Sequence, residues 1–160
     1  MFGIPAPTVY IQVSAERVTM RNPKTGNSVS EAAVIALTKG AKAKVGGIGN
    51  DALRLSSPSI QVLKPFSHPR TLVSDFLAGE QLLRTLLQRL APASLFAPSP
   101  RAVLHLRADP EGGFTQVEVR AFSEMARGAG ANDVVVWHGR DLTDQELLSG
   151  KFPAYGRVLQ

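Results

Sequence analysis

The chain contains no cysteine. That excludes disulfides and cysteine-ligated zinc or iron–sulfur centres, and it is compatible with a reducing, cytoplasmic setting. No stretch approaches the ~18 uninterrupted apolar residues that a membrane-spanning helix requires. The opening Met1-Phe2-Gly3-Ile4-Pro5-Ala6-Pro7 has no basic start and no long apolar run, so it does not read as a signal peptide. Neither G-x-x-x-x-G-K-S/T nor G-x-G-x-x-G occurs, so two common phosphate-loop signatures are missing. Ser74, Ser94, Ser99 and Ser123 lack a G-x-S-x-G setting, which leaves an acyl-transfer triad unsupported. His68, His105 and His138 form no i, i+4 pair of the kind that binds zinc on a helix. They read as polar surface or as satisfied core groups, and no metal site is expected.

What is present fits one folded domain over residues 1–160. Hydrophobic residues make up 44% and charged residues 19%, enough for a core and too balanced for wholesale disorder. The net charge of +5 permits an acidic partner such as nucleic acid or an anionic membrane surface. Its densest patch is Lys39, Lys42 and Lys44, set among glycine and alanine with no aromatic between them. A single-strand binder interleaves stacking rings with its charge, so the patch reads as a solvated loop and gives no strong nucleic-acid signal.

The residue pattern predicts short strands over Thr8 to Val13, Arg17 to Arg21 and Ser28 to Thr38, close enough to form an antiparallel meander. Lys42 to Ile48 can add a strand, Asn50 to Leu55 a brief helix and Ile60 to Leu63 another extended piece. Thr71 to Ala91 repeats its leucines at helical spacing and ends at Pro92. Ala91 to Pro100 is a Pro/Ser loop with Leu95 and Phe96 as apolar anchors. Arg101 to Arg107 alternates as a strand, Thr115 to Arg127 reads as a helix, and Asp133 to Trp137 as a buried strand. Thr143 to Glu146 can start a last short helix ending near Gly150. An antiparallel unit followed by strand–helix alternation implies an α/β domain, with a mixed sheet carrying helices.

Gly112-Gly113-Phe114-Thr115-Gln116-Val117-Glu118 raises the one chemical question. Thr115-x-x-Glu118 has the spacing of a capping box, and Phe114 and Val119 the spacing of a hydrophobic staple. A carboxylate in the first turn also suits the helix dipole. Glu118 is therefore accounted for as a helix start; the alternative is that it orients a water near a bound phosphate. Asp109 and Glu111 stand where a phosphate would come, which favours an exposed turn at the glycines.

The segment Pro98 to Trp137, with Thr115-Gln116-Val117-Glu118 and Gly128-Ala129-Gly130-Ala131, resembles the bacterial actin-like rod-shape-determining (MreB) family. There a strand and turn lead to a T-Q-V-E-R-R-A helix, then G-A-G-A and another strand. Thr115 to Ala131 matches without a gap, and the turn before it carries a small insertion. Ser30-Glu31-Ala32-Ala33-Val34-Ile35-Ala36 resembles the family's N-E-P-S-V-V-A. Ile48-Gly49-Asn50-Asp51-Ala52 resembles its V-G-x-x-A. Lys64-Pro65 followed by Leu72-Val73-Ser74-Asp75-Phe76 resembles its R-P and V-I-A-D-F. The resemblance implies the N-terminal lobe of an actin-like ATPase, a ribonuclease-H-like mixed sheet of about five strands with flanking helices. The family's second lobe has no counterpart in these 160 residues.

Departures from the family pattern shape the functional expectation. Where the family has I-D-L-G-T, this chain has Ile11-Gln12-Val13-Ser14-Ala15. Gln12 removes the metal-associated carboxylate, Ser14 the glycine that lets backbone approach phosphate, and Ala15 the threonine; Glu16 adds negative charge. Glu118 matches the family's water-orienting glutamate. The expectation is a non-catalytic, pseudo-ATPase module with no cofactor. It would bind a full-length bacterial actin or itself, in the service of cell shape, with Lys39, Lys42, Lys44, Leu95 and Phe96 as candidate contacts. Two other classes stay open. One is a hydrolase remnant using Glu118 and completed by a partner lobe. The other is a charge-driven binder of nucleic acid or of a peripheral membrane surface.

Overall fold

The computed structural model describes residues 6–67, 75–91, 98–110, 112–154 and 156–159. In chain order the elements are β1 (Thr8–Val13), β2 (Arg17–Arg21), β3 (Ser28–Ala32), β4 (Ile35–Thr38), β5 (Val45–Ile48), α1 (Gly49–Leu53), β6 (Ile60–Leu63), α2 (Phe76–Leu90), β7 (Arg101–Leu106), α3 (Gln116–Ala129), β8 (Asp133–His138), α4 (Asp144–Ser149) and β9 (Arg157–Val158). The main sheet has the order β3-β2-β1-β7-β8-β9. Its first three strands are the expected antiparallel meander. β1, β7 and β8 then run parallel, with Gln12 beside His105 and His105 beside Trp137. β9 closes the far side as a two-residue antiparallel edge.

The sequence reading of Ser28 to Thr38 as one strand is corrected here. The segment is two strands in two sheets, because β4 lies between β5 and β6 in a separate three-stranded sheet. The break falls at Ala33-Val34. The Ala33 amide donates to the Glu16 carbonyl at 2.9 Å, and the Val34 amide turns back to the Ala32 carbonyl at 2.8 Å. Burial changes at the same point. β3 keeps Ser28 and Ser30 exposed, whereas Ile35, Ala36 and Leu37 are all buried. A polar edge strand and an apolar central strand thus share one continuous run of sequence.

Period-2 alternation assigns the faces of the main sheet. Val9, Ile11 and Val13 of β1 join the larger core with Leu82, Leu83 and Leu86 of α2 and Phe122 and Met125 of α3. Tyr10 points to the other side, where it clusters with Val103, Trp137, Leu142 and Leu147. Helices therefore cover both faces: α2 and α3 on one, α4 on the other. Asp75 caps α2 by accepting from the Ala78 amide at 3.0 Å. The expected start of that helix at Thr71 lies outside the described residues. α3 runs two residues past the expected Arg127, ending on Gly130 at φ 127°.

Gly79 lets α2 and α3 approach. A Cβ on Gly79 would lie 2.8 Å from the Met125 side chain and 3.2 Å from the Phe66 ring. Gly128 faces the Glu80 carboxylate, a side-chain end that can swing aside, and Arg84 donates to the Gly128 carbonyl at 2.6 Å. Phe66 is fully buried and stacked near Phe122, so it has nowhere to retreat. Gly79→Val should destabilise the fold by about 1–3 kcal/mol through overpacking. Urea unfolding should show a lower midpoint with an unchanged slope, and an unchanged midpoint would refute the tight crossing.

Candidate functional site

The parallel strands β1, β7 and β8 all end at one edge of the sheet, the place where open α/β sheets generally bind ligands. The turn after β1 is held shut by its own serine. The Ser14 amide donates to the Arg17 carbonyl at 3.0 Å, and Ser14 Oγ accepts from the Arg17 amide at 3.1 Å. Gln12 leaves the strand end pointing at Asp141: its Nε2 donates to Asp141 Oδ1 at 3.1 Å and to Tyr10 OH at 3.3 Å. Arg107, just past β7, pairs with the same Asp141 oxygen. Two open cavities remain beside this cluster. One, of about 210 Å³, is lined by Gln12, Ser14, Arg17, Thr19 and Arg107. The other, of about 330 Å³, runs past Arg107, Asp109 and His138.

Beneath the edge lies a buried polar relay. Tyr10 OH meets His105 Nδ1 at 2.6 Å, and His105 Nε2 meets the Gly139 carbonyl at 2.8 Å. A carbonyl can only accept, so Nε2 carries the proton and Nδ1 accepts from the tyrosine hydroxyl. The tyrosine oxygen in turn accepts from the Leu142 amide at 3.1 Å and from Gln12. Burial pushes the His105 pKa down and the Tyr10 pKa up, so both are neutral at pH 7. His105 is thus a satisfied core histidine. Asp141 Oδ1 stands 4.0 Å from Nδ1, beyond hydrogen-bond distance, and its charge opposes the effect of burial on the imidazole.

The start of α3 borders the same edge. Phe114 packs edge-on against His138 with ring centres 5.4 Å apart, and His138 Nε2 lies 2.9 Å from both the Ala108 carbonyl and Asp109 Oδ1. Both halves of the capping box are present. Thr115 Oγ1 accepts from the Glu118 amide at 3.1 Å, and Glu118 Oε1 accepts from the Thr115 amide at 3.1 Å and from its hydroxyl at 3.0 Å. Phe114 packs on the core that contains Val119. Gly112 and Gly113 sit at φ 80° and 79° with open space around them, an exposed left-handed turn.

The other candidate residues lie elsewhere. Lys39, Lys42 and Lys44 are exposed on the turn joining β4 to β5 and take no part in the strand-end cluster. Leu95 and Phe96 lie outside the described residues. Ala15 is exposed at the tip of the turn after Ser14. Tyr10, Arg17, Arg107 and Asp141 take part without having been singled out from sequence. Their only local signal was position, within or just beyond a strand. Among the described residues no helix is long and apolar enough to cross a membrane.

Two outcomes test this geometry. Because burial lowers the His105 pKa below 6.5, the unfolded chain takes up that proton first as pH falls. The stability gained from the neutral imidazole is whole above pH 6.5 and drains away below it. Between pH 6.5 and 4.5, above the range where Glu146 protonates on its way to a pKa of about 2, the thermal midpoint should fall. His105→Asn should flatten that slope; an equal slope in the variant would remove His105 as its source. For the cap, Thr115→Ala and Glu118→Ala should each cost about 0.5–2 kcal/mol, and the double variant less than their sum. Strict additivity in urea unfolding would contradict the reciprocal bonds.

Comparison with known proteins gives a consistent match. A family model described as MreB/Mbl protein matches residues 9–140. The cell shape-determining protein MreB of Pasteurella multocida is 31% identical over 115 residues, covering 68% of this chain and 31% of that protein. The Escherichia coli K12 protein of the same name is 30% identical over the same length and coverage. The chain therefore spans about a third of the length of these curated relatives. Among solved structures, MreB5 of Spiroplasma citri bound to AMPPNP superposes with a TM-score of 0.63 at 17% identity, over 83% of this chain and 38% of that one. A non-polymerising mutant of MamK bound to AMPPNP gives a TM-score of 0.64 at 13% identity, over 82% of this chain and 40% of that one. The fold of these structures is that of actin-like ATPases, as expected from the sequence.

Proposed function

The chain belongs to the MreB/Mbl family, and we propose that it serves there as an actin-like binding module without nucleotide chemistry. The observation that carries this reading is the state of the turn after β1. A phosphate-gripping turn offers free backbone amides and a nearby carboxylate for the metal. Here the Arg17 amide is spent on Ser14 Oγ, and Gln12 presents an amide that already donates to Asp141. Asp141 already holds both Gln12 and Arg107, so these two strand-end donors are engaged before any ligand arrives. The residues present do not fit a magnesium–nucleotide group.

The module reading assigns Glu118 to the helix start, where its Oε1 is bound by Thr115. Since the relatives are named cell shape-determining proteins, the natural partners are a full-length actin-like filament or a second copy of this chain. Cell shape is then the process served, through contact and not through hydrolysis.

Isothermal titration with magnesium and ATP should show no saturable heat. Gln12→Asp with Ser14→Gly should not restore binding by itself, because the new carboxylate would face Asp141. Micromolar binding by the wild-type chain would overturn the proposal and favour a hydrolase remnant built on Glu118. Co-sedimentation with filaments of a full-length MreB tests the partner, and a chain that stays in the supernatant and is monomeric would count against it.

A further inference from the structure

We infer that the groove between the start of α3 and β9 docks an extended, acidic segment of a partner protein. The groove encloses about 460 Å³. Arg120 of α3 and Arg157 of β9 line it from opposite sides, and both are exposed. Every other arginine among the described residues has a carboxylate, hydroxyl or backbone carbonyl as partner. Arg120 and Arg157 alone have none among the described residues, and they face the same space. Of the acids around the start of α3, Glu118 bonds Thr115 and Asp109 bonds His138, and Glu124, one turn on from Arg120, makes no ion pair among the described residues.

The rest of the groove says what the anion is attached to. Phe114, Val119 and Leu159 give it an apolar lining, and Val158 stands 51% exposed at its border. β9 is the outer strand of the main sheet. The Leu159 amide donates inward to the Val136 carbonyl at 2.7 Å, and Trp137 lies opposite Val158 as the intervening pair. By alternation, the N–H and C=O of Val158 therefore point away from the sheet. An open strand edge binds extended peptide, with backbone bonds for affinity and alternate side chains for specificity. A segment alternating acidic and apolar residues satisfies all three features: carboxylates for the arginines, backbone for Val158, apolar side chains for the lining. A free phosphate would use only the first. The net charge of +5 draws such a segment in.

This names the partner chemistry of the binding-module reading and rests on it. Nucleotide titration probes the strand ends instead of this groove, so the two proposals can fail separately. The probe is a short fluorescein-labelled peptide alternating glutamate and valine, followed by fluorescence anisotropy at low salt. Saturable binding is expected. Arg120→Glu with Arg157→Glu should weaken it by about tenfold or more, and Arg120→Lys with Arg157→Lys should retain most of it. A peptide N-methylated at alternate amides should bind poorly despite equal charge. Both side chains are exposed, so circular dichroism of the charge-reversed protein should match wild type; Arg120→Glu alone is the second variant if it does not. Absence of binding, equal binding by the charge-reversed protein, or equal binding of the N-methylated peptide would each overturn the inference. So would phosphatidylserine vesicles binding through these arginines while the peptide stays free.

Discussion

The bond between Tyr10 and His105 constrains the whole sheet. Both side chains lie on the inner side of parallel strands, where an unpaired hydroxyl or imidazole would cost about 1–3 kcal/mol. Each has only a few acceptors and donors within reach. The histidine must find the Gly139 carbonyl, and the tyrosine oxygen must find the Leu142 amide. Satisfying them fixes the chain after β8: it has to turn at Gly139 and lay Leu142 over the sheet. Leu147 and Phe152 then complete the apolar cover around Trp137. A polar requirement of two residues thus directs the path of the chain from Gly139 to Leu142.

The same path delivers Asp141 to the strand ends. Its carboxylate takes an ion pair from Arg107 and a hydrogen bond from Gln12. The aspartate sits one residue past the segment matched by the family model. The contact that sets the electrostatics of the strand ends therefore comes from just outside the matched segment. At position 12 an amide stands where a carboxylate would be repelled by Asp141, and it donates to that aspartate instead.

How much of this was legible in the sequence depended on range. The capping box of Thr115 and Glu118 could be read because its geometry is complete within four residues, and the same holds for Thr143 and Glu146. β1, β7 and β8 announced themselves by β-branched and alternating residues. The divided strand at Ala33-Val34 did not, because both halves are extended and only tertiary pairing separates them. β9 is too short for any pattern. The strand-end cluster was half legible. The substitutions at Gln12 and Ser14 stood out beside the family pattern. Their partners did not, since Tyr10 reaches His105 across 95 positions and Gln12 reaches Asp141 across 129. Spacing carries no information at that distance.

The helix start at Glu118 is independent of the turn after β1 for a physical reason. The helix start and the turn after β1 are held by separate bonds. One is closed by Thr115 and Glu118 within α3; the other is closed by Ser14 on Arg17 within the β1–β2 hairpin. Neither borrows a partner from the other, so altering the hairpin costs the helix nothing. A carboxylate at the third position of a helix is favoured by its cap and by the dipole whether or not a ligand lies in front of it. The presence of Glu118 therefore says little about hydrolysis. The informative positions are those whose only reason to be aspartate or glycine is the ligand, and at Gln12 and Ser14 this chain has neither.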